Sequence, residues 1–359
     1  MHIVLSGYYG YGNVGDEAIL LSIIEAMRKQ EPDIQFTVLS FNPEETSITY
    51  GVHAINRFDF TSIYQAIKES DGLISGGGSL IQDETGLRSV PYYTGIIQIA
   101  RWHKKPVFIY AQGMGPIKLL HNKLLVRWTF NKVDFITVRD ELSKKFLEKI
   151  GIKKQVYVVP DPVLGLDYTR FTTSWPENNG VTDKYIAVSV RDWPTKFQFK
   201  MKIAKALDSI AEMNYKIIFV PMHGEHDELT SAEIMSIMEK GAFIAPHQLT
   251  TEEKIALIGK SELLIGVRLH SLIFAALNQT PFVAISYDPK IDAFASIFNQ
   301  PIIGHVANDD WDDRTLFNQV ASLLKNPDDF KESLQDNYEK HRITALRTAE
   351  LAINIFTEK

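Results

Sequence analysis

The sequence predicts an α/β protein in which two Rossmann-like domains face a cleft and a helical tail ends the chain. Short apolar runs alternate with amphipathic helical patterns, which is typical of parallel sheets covered by helices. The length of 359 residues exceeds one average domain of about 150 residues. A polar, turn-rich stretch at 172–180 interrupts the alternation near the middle of the chain. These observations together predict two domains of similar size.

Composition excludes several classes of function. The 38 basic and 44 acidic residues give a net charge of −6, so nucleic acid is not expected as a partner. The absence of cysteine excludes disulfides, thiolate nucleophiles, cysteine zinc sites and iron–sulfur clusters. No run approaches the ~18 apolar residues of a membrane span, and the first residues form a strand pattern rather than a signal peptide. The sequence therefore predicts a cytoplasmic protein, with at most peripheral contact at the inner face of the membrane.

In the first half of the chain, strand patterns recur at regular intervals. The predicted strands are residues 2–6, 35–40, 72–75, 107–110, 135–138 and 156–159. A first helix follows a glycine-rich loop, because Ile19, Leu20, Ile23 and Ile24 recur at helical spacing. The other predicted helices are residues 63–70, 92–103, 120–131 and 141–150. We predict an N-terminal domain over 1–170 and a linker over 171–184.

The second half repeats the alternation. Its predicted strands are residues 185–190, 216–220, 243–245, 263–267 and 281–286. Its predicted helices are residues 197–213, 228–238, 251–259 and 271–277. No strand is predicted after residue 303, and the pattern from 314 to 359 is helical. We predict a C-terminal domain over 185–340 and a C-terminal helix over 341–359.

The loop after the first strand has the composition of a ligand-binding loop. Residues 10–15 fit the pattern G-x-G-x-x-G, but the second strand ends without the acid that would bind a ribose. Asp16 and Glu17 also place negative charge where a pyrophosphate would bind. Asn13 and Asp16 instead offer hydrogen bonds that suit a neutral sugar. The alternative is a glycine-rich turn with an acidic helix cap.

Two further strand ends are rich in glycine and polar side chains. Residues 76–78 are three consecutive glycines, which allow the close approach of a ligand or of a neighbouring loop. Gln82, Asp83 and Arg88 follow them, and Gln112 lies at the next strand end. We expect an open floor for a bulky ligand here. The alternative, with equal weight, is that Gln112 binds loop backbone.

Cationic side chains mark the strand ends of the second half, namely Arg191, His223, Arg268, His270 and Lys290. Arg268 and His270 stand where a strand meets a helix N-terminus, which already attracts anions. A cluster of cations in a net-acidic protein predicts a small, multiply charged anion as the ligand.

Two other patterns in the sequence are open to a structural explanation. His223 and His226 lie beside acidic residues, but we expect no metal there, because the segment resembles a loop that enters a helix with Asp227 as its N-cap. Arg139 stands next to Asp140, where a local ion pair and an anion-binding role are both open.

The sequence between Glu262 and Glu332 contains no glutamate. Sugar-nucleotide transferases with paired α/β domains usually hold the ribose through a carboxylate on the helix that corresponds to 271–277. The absence of that carboxylate favours an anion without a nucleoside.

The ordered set of motifs resembles the polysaccharide pyruvyltransferases, with the closest likeness to the CsaB type of Gram-positive bacteria. The motifs are GYGNVGDE at 10–17, GGGSL at 76–80, QGMGP at 112–116, VRD at 138–140 and RLH at 268–270. The resemblance extends from residue 3 to about residue 298. It implies a GT-B-like fold and transfer of pyruvate from phosphoenolpyruvate to a sugar, giving a 4,6-ketal. For the CsaB type it implies N-acetylmannosamine in a lipid-linked precursor of secondary cell-wall polysaccharide, whose product S-layer-homology domains bind.

The resemblance also implies roles for residues. The donor-binding residues carry over to Arg268, Leu269, His270 and Lys290, with Arg191 as first choice and Arg139 as second choice for a further arginine. His270 is expected to act as general acid, Arg268 to clamp the anionic groups and Lys290 to neutralise the leaving phosphate. The expected acceptor-binding residues are Asn13, Asp16, Gly78, Gln82, Asp83, Arg88 and Gln112. Asp16 or Asp83 is the expected base.

The expected partners are phosphoenolpyruvate and a lipid-linked saccharide. The sequence leaves open whether the protein forms a homo-oligomer. No cofactor and no metal are expected. The first alternative is a nucleotide-sugar-dependent glycosyltransferase or epimerase of the same fold. The second is a sugar-binding protein without catalytic activity.

Overall fold

The computed structural model describes residues 1–84 and 86–358, with the backbone alone at 327–330, and divides into two compact units. The first unit consists of Met1–Leu166 and the chain from His341 onward, and the second unit is Asp167–Lys340. Each unit is a parallel sheet covered by helices. Among the described residues, no helix is both long enough and apolar enough to cross a bilayer.

The first unit contains an eight-stranded sheet. Its strands are β1 (His2–Tyr9), β2 (Gln35–Ser40), β3 (His53–Asn56), β4 (Gly72–Ser75), β5 (Gly78–Ile81), β6 (Val107–Met114), β7 (Phe135–Val138) and β8 (Tyr157–Val158). The order across the sheet is β3-β2-β1-β4-β6-β7-β8, and β5 pairs with the carboxyl-terminal part of β6. Because the strand order reverses between β1 and β4, their carboxyl ends form the topological switch point, where Rossmann-like sheets bind ligands.

Helices connect these strands and cover a single apolar core. They are α1 (Val14–Gln30), α2 (Pro43–Tyr50), α3 (Phe60–Glu69), α4 (Ser89–Trp102), α5 (Leu120–Phe130) and α6 (Glu141–Lys149). Ile19, Leu20, Ile23 and Ile24 are all buried on α1, so the spacing that predicted this helix reflects its packing.

The second unit contains a six-stranded sheet with the order β11-β10-β9-β12-β13-β14. Its strands are β9 (Tyr185–Ser189), β10 (Lys216–Phe219), β11 (Phe243–Ile244), β12 (Leu263–Gly266), β13 (Phe282–Ser286) and β14 (Ile302–His305). Its helices are α7 (Trp175–Asn178), α8 (Phe199–Ala211), α9 (Gly224–Ile237), α10 (Thr251–Gly259), α11 (Leu269–Leu277), α12 (Pro289–Ile297) and α13 (Asp313–Lys325), and α14 (Pro327–Thr357) continues into the first unit. The switch point of this sheet lies between β9 and β12.

Every predicted strand is present, but the structure adds β3, β5 and β14. β3 and β14 are edge strands with side chains that are half-buried or exposed, so their apolar signal is weak. β14 begins at Ile302 and was missed, but no strand begins after residue 303 in the part of the chain that the structure describes. β5 begins in the glycine run and pairs in a shifted register. The helices α2 and α12 were also not predicted, and α2 buries only Thr46.

The tail is helical, as predicted, but α14 is continuous across residue 341, where the sequence suggested a separate helix. The end of α14 packs in the first unit. A Cβ on Gly72 would lie 2.4 Å from the Phe356 ring. The stretch 171–184, predicted as a linker, contains α7 and belongs to the second unit.

Candidate functional site

Neighbouring strand ends of the second unit bring polar side chains to one edge of the sheet. The strands β10, β9, β12 and β13 are adjacent in that order and all run parallel. His223 follows β10, Arg191 follows β9, Arg268 follows β12, and Tyr287 follows β13. Because parallel strands end at the same edge, these residues lie around the switch point between β9 and β12. We call these four residues and Lys290 the cationic site.

Tyr287 lies close to the cations of this site. The Arg191 guanidinium carbon lies 4.4 Å from the centre of the Tyr287 ring, and the Lys290 Nζ lies 5.4 Å from it. Burial alone would raise the pKa of Tyr287, but the charges of Lys290, Arg191 and Arg268 lower it below its ordinary value. Lys290, Arg191 and Arg268, all expected to bind the donor, therefore create a positive potential at Tyr287. This potential favours a negative charge there.

Arg268 is bound to an acid for which the sequence suggested another role. Its Nε donates to Asp227 Oδ2 at 2.9 Å, and its Nη2 makes a short hydrogen bond to Asp227 Oδ1. The Asp227 side chain is fully buried and also accepts a bond from the Met222 N–H. The helix α9 begins at Gly224 with His223 at its N-cap position, so the expectation that Asp227 caps this helix is wrong. The Asp227 carboxylate instead balances and orients Arg268.

The other two cations differ in how their charge is balanced. Lys290 Nζ lies 3.2 Å from Asp288 Oδ2 in a partly exposed pair. Arg191 has no carboxylate within ion-pair distance in the described part of the chain, and its guanidinium carbon lies 5.2 Å from the Trp193 ring centre. Its buried Nε makes no hydrogen bond to a described residue. The charge of Arg191 is therefore the least compensated in the site.

His223 adds an imidazole to this group of charges. Burial lowers the pKa of His223, and the charge of Arg268 lowers it further, which favours the neutral imidazole. The nearby His226 is 65% exposed, and its Nδ1 lies 4.0 Å from Asp227 Oδ1. Within residues 1–84 and 86–358, no three His, Cys, Asp or Glu side chains form a group that could hold a metal ion.

Leu269 and His270 form the first turn of α11. Leu269 is buried and His270 is half-buried. Arg268 occupies the N-cap position with an extended backbone and supplies no side-chain cap, so its side chain is available to Asp227. The helix α11 contains no acidic residue. Because no acid of α11 offsets it, the positive end of the helix dipole adds to the positive potential of the cationic site.

Arg139 lies in the first unit and is almost fully buried. Its Nη2 donates to Ser79 Oγ at 2.9 Å, and its Nη1 lies 3.4 Å from Asp161 Oδ2. Its Nε lies 3.9 Å from Asp140 Oδ2. These ion pairs correspond to the structural alternative for Arg139, and a donor-binding role for it stays a prediction.

Side chains of the protein fill the space beside the glycines that follow β4. A Cβ on Gly76 would lie 2.1 Å from the Tyr9 hydroxyl oxygen. Gly78 has φ of +84°, and a Cβ there would lie 2.5 Å from Asp16 Oδ1. The expectation of an open floor is therefore wrong at these two glycines, since Tyr9 and Asp16 occupy the space.

Two of the expected acceptor residues are engaged within the fold. Asp83 is buried and accepts hydrogen bonds from the backbone N–H groups of residues 118 and 119 and from Asn122. Gln112 is buried and donates to Ser75 Oγ and to the backbone carbonyl of Gly76, both at 2.8 Å. The backbone alternative for Gln112 therefore describes its contacts.

Of three further expected acceptor residues, Asn13 and Arg88 lie at helix N-cap positions and Gln82 directly follows β5. Asn13 Oδ1 caps α1 by accepting the Gly15 N–H at 3.1 Å. Gln82 Oε1 accepts the Glu84 N–H at 2.8 Å. Arg88 is exposed at the N-cap position of α4. An acceptor role for the whole set stays a prediction.

The sequence analysis missed a cluster of rings at the carboxyl edge of β1, β2 and β3. Tyr8 stacks on Tyr11 with ring centroids 4.1 Å apart, and Tyr11 stacks on Phe41 at 4.5 Å. We call these three rings the aromatic platform. Arg57, which follows β3, is buried against them. The signal that would have revealed the cluster is an aromatic or cationic residue at each of three successive strand ends.

Two Rossmann-like units in one chain define the GT-B class of α/β proteins. A glycosyltransferase from Rickettsia africae is similar to this chain with a TM-score of 0.67 at 13% identity, covering 99% of this chain and 98% of that one. A UDP-N-acetylglucosamine 2-epimerase from Neisseria meningitidis, solved with UDP-GlcNAc bound, gives a TM-score of 0.63 at 10% identity and covers 100% of both chains. At these identities the likeness shows the fold alone, and it confirms the predicted GT-B-like class.

The chain belongs to the polysaccharide pyruvyl transferase family, whose model matches residues 13–289. The amylovoran biosynthesis protein AmsJ from Erwinia amylovora is 22% identical over 409 residues, covering 96% of this chain and 97% of that protein. The match includes the ends of β9, β10, β12 and β13 and stops one residue before Lys290. The predicted family is confirmed, and with it a transferase of polysaccharide biosynthesis.

Proposed function

We propose that this protein transfers pyruvate from phosphoenolpyruvate to a sugar, forms a 4,6-ketal and releases phosphate. The proposed acceptor is N-acetylmannosamine in a lipid-linked precursor of a secondary cell-wall polysaccharide, as the resemblance to the CsaB type implies. The observation that carries this proposal is the convergence of Lys290, Arg191 and Arg268 on Tyr287 in a member of this family.

The cationic site suits phosphoenolpyruvate because the ligand carries a carboxylate and a phosphate and no nucleoside. Asp227 holds the Arg268 guanidinium in a bidentate contact, so its orientation is fixed before the ligand binds. Arg191 offers charge that no described carboxylate compensates. In the proposed complex, these two arginines clamp the anionic groups, Leu269 lines the donor pocket, and Lys290 lies beside the leaving phosphate.

The proposed reaction begins when His270 protonates the methylene carbon of phosphoenolpyruvate and gives an oxocarbenium-like centre. The first sugar hydroxyl adds to that centre and returns one proton to the imidazole. The carbon–oxygen bond to phosphate then breaks, and the second hydroxyl closes the ring. Its proton leaves on the phosphate, so one diol and one phosphoenolpyruvate yield one ketal and one hydrogen phosphate.

The first test replaces the proposed acid. We expect His270→Ala to reduce phosphate release with phosphoenolpyruvate and acceptor by at least about 100-fold, the usual contribution of a general acid. His226→Ala is the matched control, since His226 is exposed on α9. Circular dichroism and thermal melting establish that both variants fold. Full activity of His270→Ala would refute the assignment.

The likeness to a glycosyltransferase and to a UDP-N-acetylglucosamine 2-epimerase favours a second candidate, a nucleotide-sugar transferase or epimerase. The helix α11 has no acid to hold a ribose, which disfavours this candidate. Thermal shift with phosphoenolpyruvate and with UDP-N-acetylglucosamine separates the two. We expect stabilisation by phosphoenolpyruvate, and stabilisation by the nucleotide sugar alone would overturn the choice. No phosphate release with any acceptor would favour a sugar-binding protein instead.

A lipid-linked acceptor requires contact with a membrane surface. Trp102 at the end of α4 is 69% exposed, and Trp128 on α5 is 48% exposed. The Arg101 guanidinium carbon and the Lys132 Nζ lie 5.6 Å and 4.1 Å from the Trp128 ring centre. Tryptophan and basic side chains together favour the interface of an anionic bilayer. We therefore propose that the peripheral membrane contact is formed by Trp102 and Trp128 together with Arg101 and Lys132.

Vesicle co-sedimentation tests the membrane proposal. We expect binding to phosphatidylglycerol vesicles, weaker binding to phosphatidylcholine vesicles, and a loss of most binding in the Trp102→Ala/Trp128→Ala double variant. Phe58→Ala is the matched control, because Phe58 is 55% exposed on the same unit. The basic side chain that contacts its ring is Arg57, which is buried and not available to lipid. Equal binding by the double variant and the wild type would contradict the proposal.

A further inference from the structure

The aromatic platform presents an apolar surface that the proposed reaction does not use. The Tyr8 and Tyr11 rings are nearly parallel, with an interplanar angle of 6°, and the Tyr11 and Phe41 rings make an angle of 16°. Phe41 ends the stack and is 51% exposed. Covering the exposed face of Phe41 would be favourable, because it removes apolar area from water.

Arg57 holds this surface from the inside. It is 4% exposed, and its guanidinium carbon lies 4.5 Å from the Tyr92 ring centre and 5.3 Å from that of Tyr11. Its Nη1 donates to the Gly7 carbonyl at 3.0 Å, which ties it to the strand that carries Tyr8. Cation–π contacts of this kind stabilise a fixed ring arrangement.

The loop that carries Tyr11 is fastened as well. The backbone N–H of Gly10 donates to Glu17 Oε1 at 2.8 Å, and the Tyr50 hydroxyl donates to Glu17 Oε2 at 2.8 Å. Gly10 has φ of +78°, and a Cβ there would lie 2.2 Å from Ser40 Oγ. The platform is therefore ordered before a ligand binds, which reduces the entropy cost of binding.

The charges next to the platform indicate what it binds. Arg57 follows β3, but its charge is buried. The next charged residues after β2 and β3 in the sequence are all acids, namely Glu44, Glu45 and Asp59. An anionic ligand, a nucleic acid or an anionic bilayer is disfavoured there. Asn42 is exposed directly after Phe41, and its Nδ2 donates to Glu45 Oε2 at 2.7 Å, so the polar groups beside Phe41 form a neutral-to-acidic pair that suits the hydroxyl groups of a neutral ligand.

We propose that the aromatic platform is a binding site for a neutral pyranose unit of the saccharide chain, next to the unit that receives pyruvate. Aromatic faces carry negative potential, and the flat face of a pyranose presents C–H hydrogens of positive polarity. Phe41 is the contact ring, Tyr11 and Tyr8 support it, and Arg57 is a positioning residue. This assignment rests on the proposed function for the identity of the acceptor.

The first experiment measures saccharide binding to the full chain without phosphoenolpyruvate. Saturation-transfer NMR is run with N-acetylmannosamine and with a disaccharide that carries it at the non-reducing end. We expect the disaccharide to bind more tightly, and Phe41→Ala to raise its Kd about five- to tenfold. Tyr157→Ala is the matched control, because Tyr157 on β8 is a 44% exposed ring of the same unit that stacks on Phe135 outside the platform, and it should leave the Kd unchanged.

The second experiment tests the positioning role of Arg57. We expect Arg57→Met to raise the KM for the acceptor several-fold, Arg57→Lys to raise it less, and both to leave kcat and the KM for phosphoenolpyruvate unchanged. A merely structural role for Arg57 would lower the active fraction and hence kcat, with no effect on either KM.

The two proposals fail in different ways. If Phe41→Ala and Tyr11→Ala fold and bind the disaccharide like the wild type, or if the wild type binds neither saccharide, the platform assignment is overturned. If the disaccharide binds through Phe41 but phosphoenolpyruvate neither stabilises the protein nor releases phosphate, the proposed function is overturned and the platform stands.

Discussion

The carboxyl edges of the two sheets hold an arginine in different ways, since Arg57 is buried and the Arg268 side chain is 16% exposed. Arg57 in the first unit lies among ring faces, with no carboxylate within ion-pair distance in the described part of the chain. Arg268 in the second unit is bonded to Asp227, whose side chain is itself fully buried. The first edge consequently presents rings to its surroundings, and the second presents charge. The comparison shows that the partner of the guanidinium decides what the site presents. An arginine packed among rings leaves the ring faces as the surface, whereas an arginine held by a carboxylate presents its charge.

The largest expected effect comes from removing each arginine in turn. Arg268→Met leaves the buried Asp227 carboxylate without its bidentate partner, so we expect the free energy of unfolding to fall by about 3–5 kcal/mol. Arg57→Met leaves no buried counter-charge and keeps the volume, so we expect a loss of about 1–2 kcal/mol from its hydrogen bonds and ring contacts. Urea denaturation measures both.

Lys184→Met is the control for this pair of variants. The Lys184 and Glu262 side chains form an exposed ion pair at 3.2 Å, and its loss should cost less than about 1 kcal/mol. Equal losses for Arg57→Met and Arg268→Met would show that the carboxylate partner makes no difference.

A pH titration sharpens the electrostatic half of the comparison. Lys254 lies near Asp227, and burial lowers its pKa from 10.5 to about 8. Because the folded value lies below the unfolded one, the protonated amine opposes folding at pH 7. This penalty disappears as the pH rises from about 8 to about 10.5. A difference of about 2.5 units corresponds to on the order of 3 kcal/mol.

We therefore expect the unfolding free energy of the wild type, relative to Lys254→Met, to rise by about 3 kcal/mol between pH 7 and pH 10.5. Urea denaturation at several pH values gives this difference directly, and effects of pH on the rest of the protein cancel in it. A difference that stays constant with pH would show that the amine keeps its ordinary pKa.

The smallest expected effect concerns the glycines of the first edge. Gly78 and Gly12 both have positive φ, of +84° and +68°, but only Gly78 would bring a Cβ against Asp16, because nothing lies within 4 Å of Gly12. We expect Gly12→Ala to cost about 1 kcal/mol through backbone strain and Gly78→Ala to cost about 2 kcal/mol. Thermal melting compares the two. Equal melting temperatures would mean that Asp16 moves aside freely.

The features that could be predicted from sequence are those set by the pattern of consecutive residues, namely the buried strands and the residues that follow them. Apolar runs predicted every central strand, and Arg191 and Arg268 could be assigned to strand ends because each lies two residues after such a strand. Lys290 lies four residues after β13, in the first turn of α12. The edge strands β3 and β14 could not be found in this way, since their side chains are not fully buried.

The partners within the site could not be predicted from local sequence. Asp227 and Arg268 are 41 residues apart and meet only because β10, β9 and β12 are neighbours in the sheet. The contact between Arg57 and Tyr92 likewise joins a strand end to a helix distant in sequence. Local pattern places a residue at a strand end, but the strand order decides what it meets there.

The path of α14 has a consequence for anyone who wishes to produce the two halves as separate proteins. Ala345, Ala349, Ala352 and Phe356 are buried along its final turns, and these turns belong to the first unit. A fragment that stops at residue 166 would uncover the apolar surface that they protect and would be prone to aggregate. An isolated N-terminal half therefore needs residues 341–358 joined back to it, for example through a flexible glycine–serine connection.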